Sequence, residues 1–143
     1  MQIGVETSRA VANKRIFVVD EDEITRAVLQ FMLQDENETH DLASLAAAYD
    51  KSREWPPNLL LLGLSLVTAN PDLLAEIQRA MPSARVMLVA EAGQDAQAQI
   101  YIGHGADAVL TKPLRVEAVR RKVDGLLGLL NQPIVQLSLS AIG

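Results

Sequence analysis

The chain has 143 residues, 49% of them hydrophobic, which suits one compact domain with a sizeable core and leaves no room for two. Its formal net charge of −5 disfavours non-specific binding to a polyanion through a general basic surface, so no direct nucleic-acid contact by this domain is expected. Cysteine is absent, which removes disulfides, thiol nucleophiles and thiolate metal sites together, and His40 and His104 have no companions at ligand or catalytic spacing.

No stretch is long and apolar enough to span a bilayer, and Met1 to Asn13 lacks the charged-then-apolar layout of a secretory signal. The expected address is therefore the cytoplasm, with residues 1–13 as a mobile tail.

The first strand signal is Ile16-Phe17-Val18-Val19, a short β-branched run followed at once by Asp20-Glu21-Asp22-Glu23. Ile24, Val28, Phe31 and Met32 then recur at helical spacing, with Leu29 and Leu33 widening the stripe. His40 to Ala43 offers a short second strand, and Ser44 could cap a helix from Leu45 to Arg53 that stops before Pro56-Pro57. Leu59 to Leu62 is an unbroken apolar run between Pro57 and Gly63, as expected of a central parallel strand covered on both faces.

Asn70-Pro71 sets a capping side chain before a proline at a helix start, and Leu73, Leu74, Ile77 and Met81 carry that helix to Pro82. Arg85 to Ala90 gives a fourth strand, Asp95 to His104 a helix stopped by Gly105, and Ala108 to Thr111 a fifth strand before Lys112-Pro113. Val116, Val119, Val123, Leu126, Leu127 and Leu130 line a closing helix.

Five strand signals alternating with five helix signals call for an α/β fold: a doubly wound parallel sheet with helices on both faces. Ligands of such sheets sit outside the carboxyl ends of the strands, where the strand order reverses. The residues at those ends are Asp20 and Glu21, Gly63, Val89 or Ala90, and Lys112.

The run VVDEDE, the PNLLLLG segment, the GADAVLTKP stretch and the closing amphipathic helix together resemble the receiver domain of two-component response regulators, over Arg15 to Leu130. The resemblance implies a flavodoxin-like sheet of strand order 2-1-3-4-5 within residues 14–130. It also implies a phosphorylation site with two Mg²⁺-holding acids after the first strand, a nucleophilic aspartate after the third, a Ser or Thr after the fourth and a lysine after the fifth. Mg²⁺ takes hard oxygen ligands and neutralises charge on the transferring phosphoryl group, and the hydroxyl and ammonium hold the acylphosphate.

Carried over residue by residue, Asp20 and Glu21 match the acidic pair, and Lys112 with Pro113 matches the lysine and its usual cis-proline neighbour. Gly63 stands where the nucleophilic aspartate belongs, Val89 or Ala90 stands at the hydroxyl position, and Val109 replaces the aromatic residue that many receivers keep. The implied protein is a pseudo-receiver of two-component or phosphorelay signalling. It is a non-catalytic module that binds a kinase, an output protein or itself, with a homodimer as one form, and without aspartyl phosphorylation. The resemblance puts the contact face on the fourth helix, fifth strand and fifth helix, around Tyr101, Asp107, Val109, Arg115 and Arg120. No cofactor is expected, and Mg²⁺ binding at Asp20 and Glu21 is expected to be weak or absent, because the third oxygen donor is missing.

Plainer readings stand beside these. Gly63 could be a turn glycine with positive φ and the acceptor displaced nearby, and Ser65 is a further oxygen nucleophile that is inert without a partnered base. The acids Asp20 to Glu23 could simply favour a helix start, with Asp20 or Asp22 as its cap, and Lys112 could turn toward Asp20 or Glu21 as an ion pair. Arg115, Arg120, Arg121 and Lys122 read as the solvated face of an amphipathic helix, more than as a nucleic-acid footprint. Two alternatives to the pseudo-receiver remain: phosphorylation at a non-standard acceptor, and an anion or small-ligand sensor using the room left near Lys112. Residues 131–143, with Ile134, Val135, Leu137 and Leu139 set among polar residues, could add or exchange a strand at a sheet edge.

Overall fold

The computed structural model describes residues 14–129. The segments 1–13 and 131–143, read above as a tail and an added strand, lie outside the described residues, as does Leu130. Five strands run in the order β1 (Arg15–Val19), β2 (Glu38–Leu42), β3 (Leu59–Gly63), β4 (Arg85–Ala90) and β5 (Ala108–Thr111). All pair in parallel, in the spatial order β2-β1-β3-β4-β5. The doubly wound sheet expected from the alternating signals is therefore present, and its order reverses between β1 and β3.

Alternation along the strands builds two cores, because successive side chains point to opposite faces. Phe17, Val19, Leu60, Leu62, Leu88 and Ala90 meet one set of helices: α2 (Leu45–Ser52), α3 (Leu64–Ala69), α4 (Leu73–Ala80) and α5 (Asp95–Gln99). Ile16, Val18, Leu59, Leu61, Met87 and Val89 meet α1 (Glu23–Leu33) and α6 (Val116–Leu129). Leucines 59 to 62 are all fully buried, which is why this strand shows no polar alternation.

Several element readings need correction. The second strand begins at Glu38, not His40, since an edge strand with no fully buried residue has no apolar run to mark it. The helix after Gly63, α3, was not foreseen, because LSLVTA is too short to show a period. The helix from Asp95 ends at Gln99, and the chain reaches β5 through turns containing Gly103 and Gly105, both at positive φ.

On α1 the buried positions are Thr25, Leu29 and Leu33, while Ile24 and Phe31 are each 73% exposed. The helix turns its Leu29 edge to the sheet, so the expected stripe through Ile24 and Phe31 faces outward. Val116 is likewise exposed, and the buried face of α6 starts at Val119. The Ser44 cap is present, with its hydroxyl accepting the Ala47 amide at 3.1 Å.

Candidate functional site at the carboxyl ends of the strands

The strand ends bring Asp20, Gly63, Ala90 and Lys112 to one edge of the sheet, as the registers β1–β3, β3–β4 and β4–β5 require. Gly63 closes β3 and also precedes the first turn of α3, with φ −60° and ψ 133°. That is ordinary extended backbone, so the glycine does not supply a positive-φ turn here, contrary to the turn-glycine reading. Its meaning is spatial. A β-carbon on Gly63 would lie 2.6 Å from Asp20 Oδ2 and 2.8 Å from Asp20 Cγ, well inside contact distance.

Asp20 thus fills the room where a side chain on Gly63 would begin. It is 8% exposed, and Oδ1 accepts the Asp22 amide at 2.8 Å. Burial holds its carboxyl above the usual carboxylate range, against the pull of the Asp22 amide and the Lys112 charge. Asp22, not Asp20, caps α1: its carboxylate accepts the Ile24 amide at 3.0 Å and the Thr25 hydroxyl at 2.8 Å. The Thr25 hydroxyl and then the Ile24 amide hold Asp22 below its ordinary value.

Lys112 follows β5, and its bond to Pro113 is cis. Its ammonium donates to Thr25 Oγ1 and to Glu91 Oε2, each at 2.7 Å, and stands 3.6 Å from Asp22 Oδ2. It forms no hydrogen bond with Asp20 or Glu21, the partners expected for it; Glu91, directly after β4, reaches it first. Partial burial pulls the Lys112 pKa down, but the hydrogen bond and charge of Glu91, followed by the charges of Asp20 and Asp22, leave it above the usual lysine value.

Ser65 donates to Glu21 Oε1 at 3.0 Å and clasps the β1 and β3 ends together. Val89 is 5% exposed and Ala90 fully buried, and neither offers a hydroxyl.

The donor set does not suit the three-carboxylate metal site of a phosphorylatable receiver. Asp20 Oδ1 and both Asp22 oxygens accept protein donors, Glu21 Oε1 accepts Ser65, and Gly63 supplies no carboxylate. Among the described residues no three His, Cys, Asp or Glu side chains are grouped to hold a metal ion.

The residues expected on one contact face differ in exposure and surroundings. Val109 is 3% exposed and belongs to the core, so it can act only through packing. Arg120 lies against α1, donating to the Met32 carbonyl at 2.8 Å, with Asp35 at 3.5 Å. Asp107 precedes β5 at the opposite end of the sheet, accepting the Val86 amide at 2.9 Å. There it borders a cavity of about 620 Å³ together with Met81, Arg85 and His104. Tyr101 is partly buried against the core, and Arg115 is exposed.

Sequence reasoning missed Glu91 and Thr25. The signals were an acid immediately after the fourth strand and a hydroxyl three residues beyond the Asp22 cap.

A model of the response regulator receiver domain matches residues 16–124. The chain belongs to this receiver family. The receiver is 24% identical over 116 residues to the chemotaxis protein CheY of Halobacterium salinarum, covering 80% of this chain and 97% of that one. Among solved structures, NtrX from Brucella abortus, in complex with ATP, superposes with a TM-score of 0.76 at 23% identity, over 92% of this chain. The receiver spans only 29% of that NtrX chain. A response regulator from Thermotoga maritima superposes with a TM-score of 0.73 at 20% identity, over 81% of this chain and 98% of that one.

At these identities the structural likeness shows the fold, and the family match makes the chain a signalling module of two-component systems. Receiver domains interact with kinases and output domains and typically bind Mg²⁺ weakly. No helix of the described residues is long and apolar enough to cross a membrane.

Proposed function

We propose that this receiver signals by docking to a protein partner, whether a kinase, an output protein or a second copy of itself, without aspartyl phosphorylation. The observation that carries this reading is the Gly63–Asp20 packing. The acceptor position has no side chain, and the Asp20 carboxylate stands 2.6 Å from where its β-carbon would be. Phosphoryl transfer needs an accessible, ionised oxygen nucleophile with cations aimed at the incoming group. Here Lys112 is bound to Glu91 and Thr25, and Val89 and Ala90 bring no hydroxyl. A sensor for anions near Lys112 is disfavoured by the same contacts and by the surrounding acids Asp20, Asp22 and Glu91. For docking, the exposed Ile100 and Arg115 and the partly buried Tyr101 are among the surface residues on the α5–β5–α6 side.

A second reading has one observation in its favour: Asp20 is itself a carboxylate lying beside the acceptor position. Against it, Asp20 is 8% exposed, accepts the Asp22 amide and is biased toward the neutral form. Incubation with acetyl phosphate and Mg²⁺, followed by intact-mass measurement, separates the two. No stoichiometric phosphoryl adduct is expected. An adduct on the wild-type chain that disappears in Asp20→Asn would overturn the non-phosphorylating reading in favour of the second.

A further inference from the structure

The ammonium of Lys112 is the meeting point of three loops at the carboxyl edge of the sheet. It sits on the β5–α6 loop, donates to Thr25 on the first turn of α1, and donates to Glu91 on the β4–α5 loop, with both bonds at 2.7 Å. Thr25 passes the contact on to Asp22 at 2.8 Å.

The loop carrying Glu91 is itself closed. The Glu91 amide donates to Gln94 Oε1 at 3.0 Å, and the Gln94 amide donates back to the Glu91 carbonyl at 3.0 Å. Gly93, at φ 89°, makes the turn between them. A second tie lies one step along, where the Thr111 hydroxyl donates to Asp95 Oδ1 at 3.1 Å at the start of α5. Both ties bind the loop into α5 to the end of β5.

From this geometry we propose that Glu91 is a built-in counter-ion for Lys112 that ties the β4–α5 loop to the end of β5 and holds it in one arrangement. The proposal rests on the reading that this domain docks without being phosphorylated. It adds how the α5–β5 side is set: by a carboxylate of the chain's own, permanently present. An isolated exposed ion pair would not suffice, because such pairs contribute little. The Glu91 side chain is 64% exposed, but that of Lys112 is only 21% exposed, and its ammonium is held by Glu91, Thr25 and Asp22 together. Removing Glu91 leaves a partly desolvated ammonium facing only the charges of Asp20 and of Asp22, the latter at 3.6 Å, and frees the loop from β5 at that point.

The test is hydrogen–deuterium exchange on the full chain for wild type, Glu91→Gln, Lys112→Met and the double variant, with the exposed Glu54→Gln as control. Each single variant is expected to raise exchange across residues 91–101 about two- to fivefold. The double variant should do no more than either alone, because both break the same pair. Exchange in β1 and β3 should stay at wild-type rates, which shows that the variants fold, and Glu54→Gln should change nothing. Unchanged exchange at residues 91–101 in both single variants, or a double effect equal to their product, overturns the role given to Glu91. Such a result would leave the non-phosphorylating reading in place, whereas an acetyl phosphate adduct would remove that reading and leave these exchange rates as measured.

Discussion

The Asp20 carboxylate, as it is placed, occupies the room a β-carbon on Gly63 would need: Asp20 Oδ2 lies 2.6 Å from that position. The backbone at Gly63 is acceptable to any residue, so Gly63→Ala should stabilise by about 0.4–1 kcal/mol through the unfolded chain if space were free. The overlap reverses the sign. Gly63→Ala is expected to destabilise by about 1–3 kcal/mol. In an Asp20→Ala background the same change should become neutral or stabilising, a coupling that urea denaturation of the four proteins would measure. Additive effects would show that the two side chains do not compete.

Burial raises the Asp20 carboxyl above its ordinary value, which makes stability depend on pH in a stated direction. Between the unfolded and the folded pKa the native state holds the extra proton. Stability therefore falls as pH rises through that window and is level above it. Asp20→Asn should be more stable than wild type at neutral pH, with the gap closing below the unfolded value of 3.8. Denaturation midpoints measured across this range check it, and a gap that stays constant with pH refutes the assignment.

At the other end of the sheet the sign is opposite. Arg15, at 2.6 Å, and then His40, at 2.7 Å, hold the Glu38 carboxyl down to about 2. The stability it contributes is fully present above its unfolded value of 4.5 and is lost as pH falls toward about 2. Glu38→Gln should be less stable than wild type at pH 7, by an amount that solvent reduces because Glu38 is partly exposed, and the difference should close as pH falls toward about 2. Acid titration followed by circular dichroism would read the difference.

Gly105 contrasts with Gly63. It has φ 112°, and a β-carbon there would stand 2.7 Å from Leu74 Cβ. Strain and overlap act together, so Gly105→Ala should cost about 2–4 kcal/mol. A Leu74→Gly background, which removes the Cβ that alanine would keep, should relieve only the overlap, leaving the backbone part of the cost visible in chemical denaturation. Complete relief would mean that the backbone at Gly105 adapts without strain.

Burial decides which parts of this fold could be read from the residues. Leu59 to Leu62, covered on both faces, announced a central strand, and the helix through Leu73, Leu74 and Ile77 showed its period because one face is buried. The β2 strand ETHDL lies at an edge with nothing fully buried, so the residues signalled a short strand from His40 but not its start at Glu38. At the site, Asp20, Gly63 and Lys112 were legible because each stands at or directly after the end of a strand. Glu91 has the same placement, but its link to Lys112 joins residues 21 apart in sequence and depends on how the β4–α5 loop closes. The exposure of Ile24 and Phe31 was hidden for a different reason. An apolar period on a helix tells which residues share a side, whereas packing against the sheet decides which side turns inward.

The chain carries a single tryptophan, and Trp55 lies under the Arg15 guanidinium, 5.1 Å from the ring centre, at the amino ends of the strands. Its intrinsic fluorescence therefore monitors the floor of the molecule, far from the loops that Lys112 gathers at the top. Emission titrations against a candidate partner would stay silent for an event at those loops even when binding is tight, so an optical assay of docking there needs a dye placed by design.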